Sequence, residues 1–232
     1  MFAMPSEAGP APAIRARGLG RRFGAQWALA HVDLDIENGE VVLLAGSNGS
    51  GKTTLLRLLS GLLRPSAGTL HVGGLEPQRE RTACRQKISL VSHLSYLYPQ
   101  LTARETVELW TGLLGSSDAD ADALLARVRL EARGDDLVQG FSAGMKKRLS
   151  LLRTVIEEPE IVLLDEPFAA LDPSGQELIE EWIQGYRERG LTVVLSSHAL
   201  ARASALCDRA VVLQSGQLHW LGPAEGAAEQ VR

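Results

Sequence analysis

The sequence has no run of about 18 apolar residues, the length a helix needs to cross a bilayer. Any membrane process it serves must take its span from a partner. Cysteine is scarce: Cys84 and Cys207 stand alone, without CxxC spacing, so neither a zinc site nor a disulfide framework is expected, and both thiols read as reduced. Lysine is scarce too, with Arg making up most of the basic residues, and the formal net charge is −4. That balance leaves no basic field to hold nucleic acid or an anionic surface, so no nucleic-acid partner is expected. The first residues, Met1 to Pro12, are rich in Ala and Pro and lack a basic segment followed by an apolar core. They read as a disordered tail and not as a secretory signal.

What is present is organised around Gly46-Ser47-Asn48-Gly49-Ser50-Gly51-Lys52-Thr53-Thr54, directly after the apolar run Val41-Val42-Leu43-Leu44-Ala45. This fits GxxxxGK[ST] in the order strand, glycine loop, helix. Glycines let backbone N–H groups curl toward phosphate oxygens where a Cβ would block the approach. Lys52 is then expected at the terminal phosphates and the Thr53 hydroxyl on Mg²⁺, with the positive end of the following helix facing the anion. The nucleotide expected is ATP.

Taken in order, Ala13 to Glu40 reads as short strands and turns, with alternation in Val32-Asp33-Leu34-Asp35-Ile36 and an Asn38-Gly39 turn. Phe23 lies there after Arg21-Arg22, either as a core residue or as a flat ring for adenine. The glycine-loop helix is expected to run to about Leu63, followed by strands at Thr69–Val72 and Ile88–Val91. Thr102-Ala103-Arg104-Glu105 is a capping box opening a helix through Leu114, and a second helix is expected from Ser117 to Leu130. Ser142 caps a further helix to about Ile156, a second anion site. The buried runs Ile161–Leu164 and Thr192–Leu195 deliver Asp165-Glu166 and Ser196-Ser197-His198, and after Pro167 to Ser174 a helix extends to Arg189 between them.

In an open α/β sheet, ligands bind outside the carboxyl ends of the strands, so the glycine loop, Asp165-Glu166 and His198 are expected to converge on one γ-phosphate. Asp165 is the natural Mg²⁺ holder, Glu166 the group that polarises the attacking water, and His198 a donor to phosphate or a support for the water.

At this point the residues resemble one family, the ATP-binding subunits of ABC transporters, over nearly the whole chain from Ala13. Ser142-Ala143-Gly144 stands for the signature, Ala170-Leu171-Asp172 for the D-loop and His198 for the switch histidine. The resemblance implies an α/β P-loop NTPase with a mainly parallel core sheet, an N-terminal antiparallel β subdomain and an inserted helical subdomain at about 94–158, all in one domain over 13–232. It implies two copies pairing head to tail, each ATP held between one copy's glycine loop and the other's Ser142–Gly144, and a peripheral position on the cytoplasmic side of the inner membrane against integral transporter subunits. Phe23 matches the adenine-stacking aromatic.

Several positions depart from the family pattern: Met145 stands where Gln is usual, Phe141 where Leu is, and Ser47 where Pro is common. His93 occupies the place of the Q-loop glutamine; a neutral imidazole there can hydrogen-bond, and a protonated one cannot ligate metal. Together Ser92-His93, Ser142-Ala143-Gly144 and Asp165-Glu166-Pro167-Phe168 are similar to the haem-exporter ATPase of cytochrome c maturation. The helical insert is small, with only about 90 positions from Lys52 to Ser142. That leaves no room for the long coiled coil of DNA-repair relatives, and translation-type relatives carry two cassettes. An exporter of drugs, lipids or polysaccharide remains the alternative.

Overall fold

The computed structural model describes residues 11–92, 96–115 and 119–231. Three strands form an antiparallel sheet at the N-terminal side: β1 (Ile14–Phe23), β2 (Gln26–Ile36) and, after β3 (Val41–Ala45) and helix α1 (Lys52–Leu59), β4 (Ala67–Val72). Their order is β2-β1-β4, with Ile14 opposite both Ile36 and Val72. β1 and β2 are 10 and 11 residues long, longer than the short strands expected, because register shifts along β1 let one pairing continue through the twist.

The chain continues through α2 (Arg81–Lys87), β5 (Ile88–Val91), α3 (Ala103–Leu113), α4 (Ala121–Arg127), α5 (Ala143–Leu151), α6 (Arg153–Ile156) and β6 (Ile161–Asp165). After these come α7 (Pro173–Glu188), β7 (Thr192–Ser196), α8 (Leu200–Ser204), β8 (Arg209–Gln214), β9 (Gln217–Pro223) and α9 (Ala227–Gln230). The core sheet runs β5-β6-β7-β3-β8-β9, parallel except for the β8–β9 pair. β3, β6 and β7 are buried on both faces, which is why their sequences are continuous apolar runs.

Alternation along these strands divides the interior in two. Val42, Leu44, Leu163 and Val211 face α1 and the antiparallel sheet, packing on Leu55, Leu58 and Ile14. Val41, Leu43, Leu164 and Leu195 face the other way, onto Val107, Leu149, Ile179 and Ile183 of the helical layer. Each fully buried Leu, Ile or Val contributes roughly 1.5–3 kcal/mol, so this double cover holds the polar strand ends in fixed places.

Several helix boundaries differ from expectation. α1 stops at Leu59, not Leu63, because Gly61 takes φ +70° and the Leu63 N–H returns to the Arg57 carbonyl at 3.0 Å. The helix expected from Ser142 to Ile156 is interrupted at Leu152. There the Ser150 and Thr154 hydroxyls donate to the Lys146 and Leu151 carbonyls at 2.8 and 2.7 Å, competing with the main-chain ladder. α4 covers only Ala121–Arg127, opened by the Asp120 cap. α2 was not expected at all, since it buries Cys84 alone and shows no apolar period.

Other local readings are met. Thr102 and Glu105 make both halves of a capping box, and the Ser142 hydroxyl accepts the Met145 N–H at 3.2 Å. Ala11, within the stretch read as a tail, accepts a hydrogen bond from Asn38 at 2.9 Å; residues 1–10 lie outside the described residues.

Candidate active site

β3 ends in a loop whose shape only glycine permits at two places. Gly46 has φ +141°, and a Cβ there would lie 2.3 Å from the Leu213 carbonyl oxygen. Gly51 has φ +110°, with the Leu29 side chain 2.6 Å from a Cβ position. The loop thereby turns straight into α1, whose first backbone bond within the helix is Leu55 N–H to the Gly51 carbonyl at 2.9 Å. The N–H groups of Lys52, Thr53 and Thr54 precede that bond and face outward from the helix end.

These groups line a cleft of about 770 Å³ with Asn48, Gly49, Ser50, Asp165, Glu166 and His198. The expected convergence of glycine loop, acidic pair and histidine is thus a geometric fact of the chain. Lys52 is 7 % exposed, and its ammonium donates to the Gly46 and Ser47 carbonyls at 2.7 and 3.1 Å. Burial pushes its pKa below the usual lysine value, and the charges of Glu166 and Asp165 oppose that shift. Ser50 Oγ is buried beside it and makes no hydrogen bond among the described residues.

Asp165 closes β6 and is buried. The Thr53 hydroxyl donates to its two carboxylate oxygens at 3.1 and 3.3 Å, and Ser196 Oγ donates to Oδ1 at 2.7 Å. A hydroxyl and a carboxylate side by side are hard oxygen ligands of the kind Mg²⁺ takes when waters and phosphate complete its shell. The residues therefore fit that ion.

Glu166 follows with φ +51°, a left-handed conformation that costs a non-glycine residue on the order of 1 kcal/mol. Its N–H donates to Ser196 Oγ at 2.9 Å. The carboxylate turns into the cleft: Oε2 accepts the His198 N–H at 3.2 Å, while Oε1 is buried without a hydrogen bond among the described residues. His198 Nε2 stands 3.4 Å from Oε1, and its side chain is half exposed.

The remaining expected site residues are elsewhere. Phe23 is 49 % exposed at the end of β1, outside the cleft lining, and the Arg21 guanidinium covers its ring at 4.7 Å. Ser142, Ala143 and Gly144 begin α5 and do not line the cleft of their own chain. Asp172 caps α7 by accepting the Gly175 N–H at 2.9 Å, a bond that, with the Ser174 hydroxyl, holds its carboxyl below the usual range. His93 lies outside the described residues.

Two residues were missed from the sequence. Ser196 was seen only as the residue before Ser197-His198, yet it ties Asp165 to the Glu166 backbone; its pairing opposite Asp165 in neighbouring strands was the available signal. Lys147 was seen only as part of a basic stretch. It is buried, and its ammonium donates to the Asp165 and Glu166 carbonyls at 3.2 and 3.1 Å.

The family model for ABC transporters matches residues 29–169. A daunorubicin resistance ATP-binding protein of Streptomyces coeruleorubidus is 38% identical over 224 residues, covering 95% of this chain and 70% of that protein. Nod factor export ATP-binding protein I of Burkholderia lata is 36% identical over 213 residues, covering 90% and 70%. Among solved structures, an ATP-binding subunit of an ABC transporter superposes with a TM-score of 0.81 at 28% identity, covering 91% of this chain and 90% of that one. A dimeric ATP-binding cassette in a post-hydrolysis state, bound to ADP and Pi, also gives 0.81, at 27% identity and coverage of 91% and 98%. With a glycine-loop cleft, an acidic strand end and these relatives together, the chain belongs to the ABC transporter family as an ATP-binding, ATP-hydrolysing subunit.

Proposed function

We propose that the chain powers an exporter as a head-to-tail homodimer docked on integral membrane subunits at the cytoplasmic face of the inner membrane. The observation that carries this reading is the separation within one chain of the glycine-loop cleft from the Ser142–Gly144 helix end. Both are anion sites, and a second copy supplies to each cleft what its own chain keeps elsewhere. Among the described residues no helix is long and apolar enough to cross a membrane, so partners provide the passage. A groove lined by Leu62, Leu90, Tyr96 and Leu114, between β5 and the helical layer, suits such a partner.

Glycine-loop N–H groups hold the phosphates, and Lys52 moves from the Gly46 and Ser47 carbonyls onto the terminal phosphate. Thr53 and Asp165 would hold Mg²⁺, which would neutralise charge on the phosphate oxygens. Water attacks the γ-phosphorus in line as the bond to the bridging β–γ oxygen breaks, the Glu166 carboxylate accepts the water's proton, ADP and phosphate leave, and His198 keeps water and carboxylate aligned. Phe23 stacks on adenine once Arg21 yields the ring, and Asp172 fixes the loop that meets the other copy. His93 senses the membrane partner. General base action is worth about 10²–10⁴ in rate, so Glu166→Gln should lose at least a hundredfold in kcat while still binding ATP. Native turnover by that variant would overturn the assignment.

For cargo, the narrower reading is haem export in cytochrome c maturation, supported by Ser92-His93, Ser142-Ala143-Gly144 and Asp165-Glu166-Pro167-Phe168 together. Export of a drug-like or amphiphilic molecule is the second reading, favoured by the daunorubicin resistance and Nod factor export relatives. Holocytochrome c levels in cells whose only copy is Glu166→Gln decide between them: loss supports haem, and normal levels support the second reading.

A further inference from the structure

Helix α5 touches the segment after β6 at two points. Near its start, Gly144 lies so close to that segment that a Cβ would stand 3.0 Å from the Ala170 carbonyl and 3.3 Å from the Leu171 side chain. Three residues on, just under one turn, Lys147 donates to the Asp165 and Glu166 carbonyls at 3.2 and 3.1 Å. Between these points the segment carries two non-glycine residues in the left-handed region, Glu166 at φ +51° and Ala170 at φ +61°. A path with two such residues persists only where its surroundings hold it.

Lys147 is only 7 % exposed. Burying an ammonium is costly, and burial indeed lowers its pKa, with Asp165 and Glu166 opposing. An aliphatic residue would fill the same space without that cost. What the ammonium adds is a pair of donors aimed at the two carbonyls that fix the direction of the Glu166 side chain. On the opposite side of the same junction, Ser196 Oγ takes the Glu166 N–H. The junction is gripped from both sides, and only the Lys147 grip comes from the helix that begins with Ser142.

We propose that Lys147 is a positioning residue that fixes the Asp165–Glu166 junction from α5, so that the anion-binding start of α5 and the Glu166 carboxylate move as one unit. Engagement of Ser142–Gly144 with a nucleotide then reaches Glu166 in the same chain, which serves the other cleft of the dimer. The inference rests on Glu166 as the base for hydrolysis.

The test is steady-state hydrolysis of Mg–ATP by the full chain and by Lys147→Met, which keeps the stem and removes the donors. Misplacing a catalytic group by about 1 Å costs on the order of 10² in rate, so kcat should fall at least tenfold with KM within about twofold. Lys147→Gln, whose amide keeps a donor on a stem one atom shorter, should recover part of that loss. Native kcat in Lys147→Met overturns the proposal. So does a loss of kcat accompanied by an equal loss of nucleotide affinity, which marks a structural role alone. If Lys147→Met does not fold, Lys147→Gln carries the test: a threefold to tenfold fall in kcat supports the proposal, and native kcat overturns it. Glu166→Gln, run alongside, separates the two claims. Native turnover there removes the base assignment, whereas a dead Glu166→Gln beside a native Lys147→Met removes only the role of Lys147.

Discussion

His198 holds Glu166 through two different parts of itself: its backbone N–H donates to Oε2 at 3.2 Å, and its imidazole Nε2 stands 3.4 Å from Oε1. The first contact survives any substitution at position 198 other than proline. His198→Ala therefore leaves the carboxylate oriented and removes only the imidazole beside Oε1. The expected result is a fall in kcat of about 10- to 100-fold with little change in KM. Phosphate release under saturating Mg–ATP measures it, and an unchanged kcat would return His198 to a purely structural role.

Lys52 offers a cleaner separation of binding from folding. Its buried ammonium is satisfied by the Gly46 and Ser47 carbonyls, and Met at this position removes both the charge and the cost of burying it. Lys52→Met should fold normally and bind ATP about 10- to 100-fold more weakly, the worth of one charge-assisted contact. Equilibrium titration with a fluorescent ATP analogue, together with a thermal melt, shows both.

The glycine loop is tested at Gly46. A methyl group there meets the Leu213 carbonyl at 2.3 Å and Ser50 Oγ at 2.6 Å, on a backbone with φ +141°. Gly46→Ala should destabilise the fold by on the order of 1–3 kcal/mol. In a domain of this size that lowers Tm by roughly 3–10 °C. Gly49 also has positive φ, but a Cβ there meets nothing within 4 Å, so Gly49→Ala should cost less.

The thiols give a prediction in pH. Desolvation pushes Cys207 up to about 12, with Asp208 adding to the rise and Arg187 opposing it, and burial also raises Cys84. At pH 8 both are therefore neutral thiols in the folded chain, whereas in the unfolded chain they titrate near 8.5. Iodoacetamide at pH 8 should therefore modify both thiols far more slowly under native conditions than in guanidinium chloride, Cys84 being buried and Cys207 partly so. Native labelling of Cys207 as fast as in guanidinium chloride would contradict its raised pKa.

What could be read from the sequence was what depends on local pattern. The loop Gly46–Thr54 followed a buried strand, and Asp165 and His198 stood just beyond apolar runs, so their meeting at the strand ends followed from sheet geometry. Thr102 and Ser142 announced their helices by side-chain chemistry. Contacts between distant segments left no such mark. Lys147 reaches 18 positions ahead to the Asp165 carbonyl, and nothing in a basic stretch distinguishes a buried lysine from a solvated one. α2 shows no apolar period because Cys84 is the one residue it buries. Leu63 was read into α1 because Gly61 was taken as a helix residue when it is the left-handed cap.

In the proposed dimer two copies close on ATP with each Ser142–Gly144 helix end across from the other's glycine loop. Light scattering on Glu166→Gln, expected to leave bound ATP unhydrolysed, reads that closure. With Mg–ATP the measured mass should double relative to the same variant with ADP, and adding Ser142→Arg should restore the single-chain mass while ATP binding is kept. A single-chain mass for Glu166→Gln at saturating Mg–ATP, or undiminished doubling in the presence of Ser142→Arg, would contradict it.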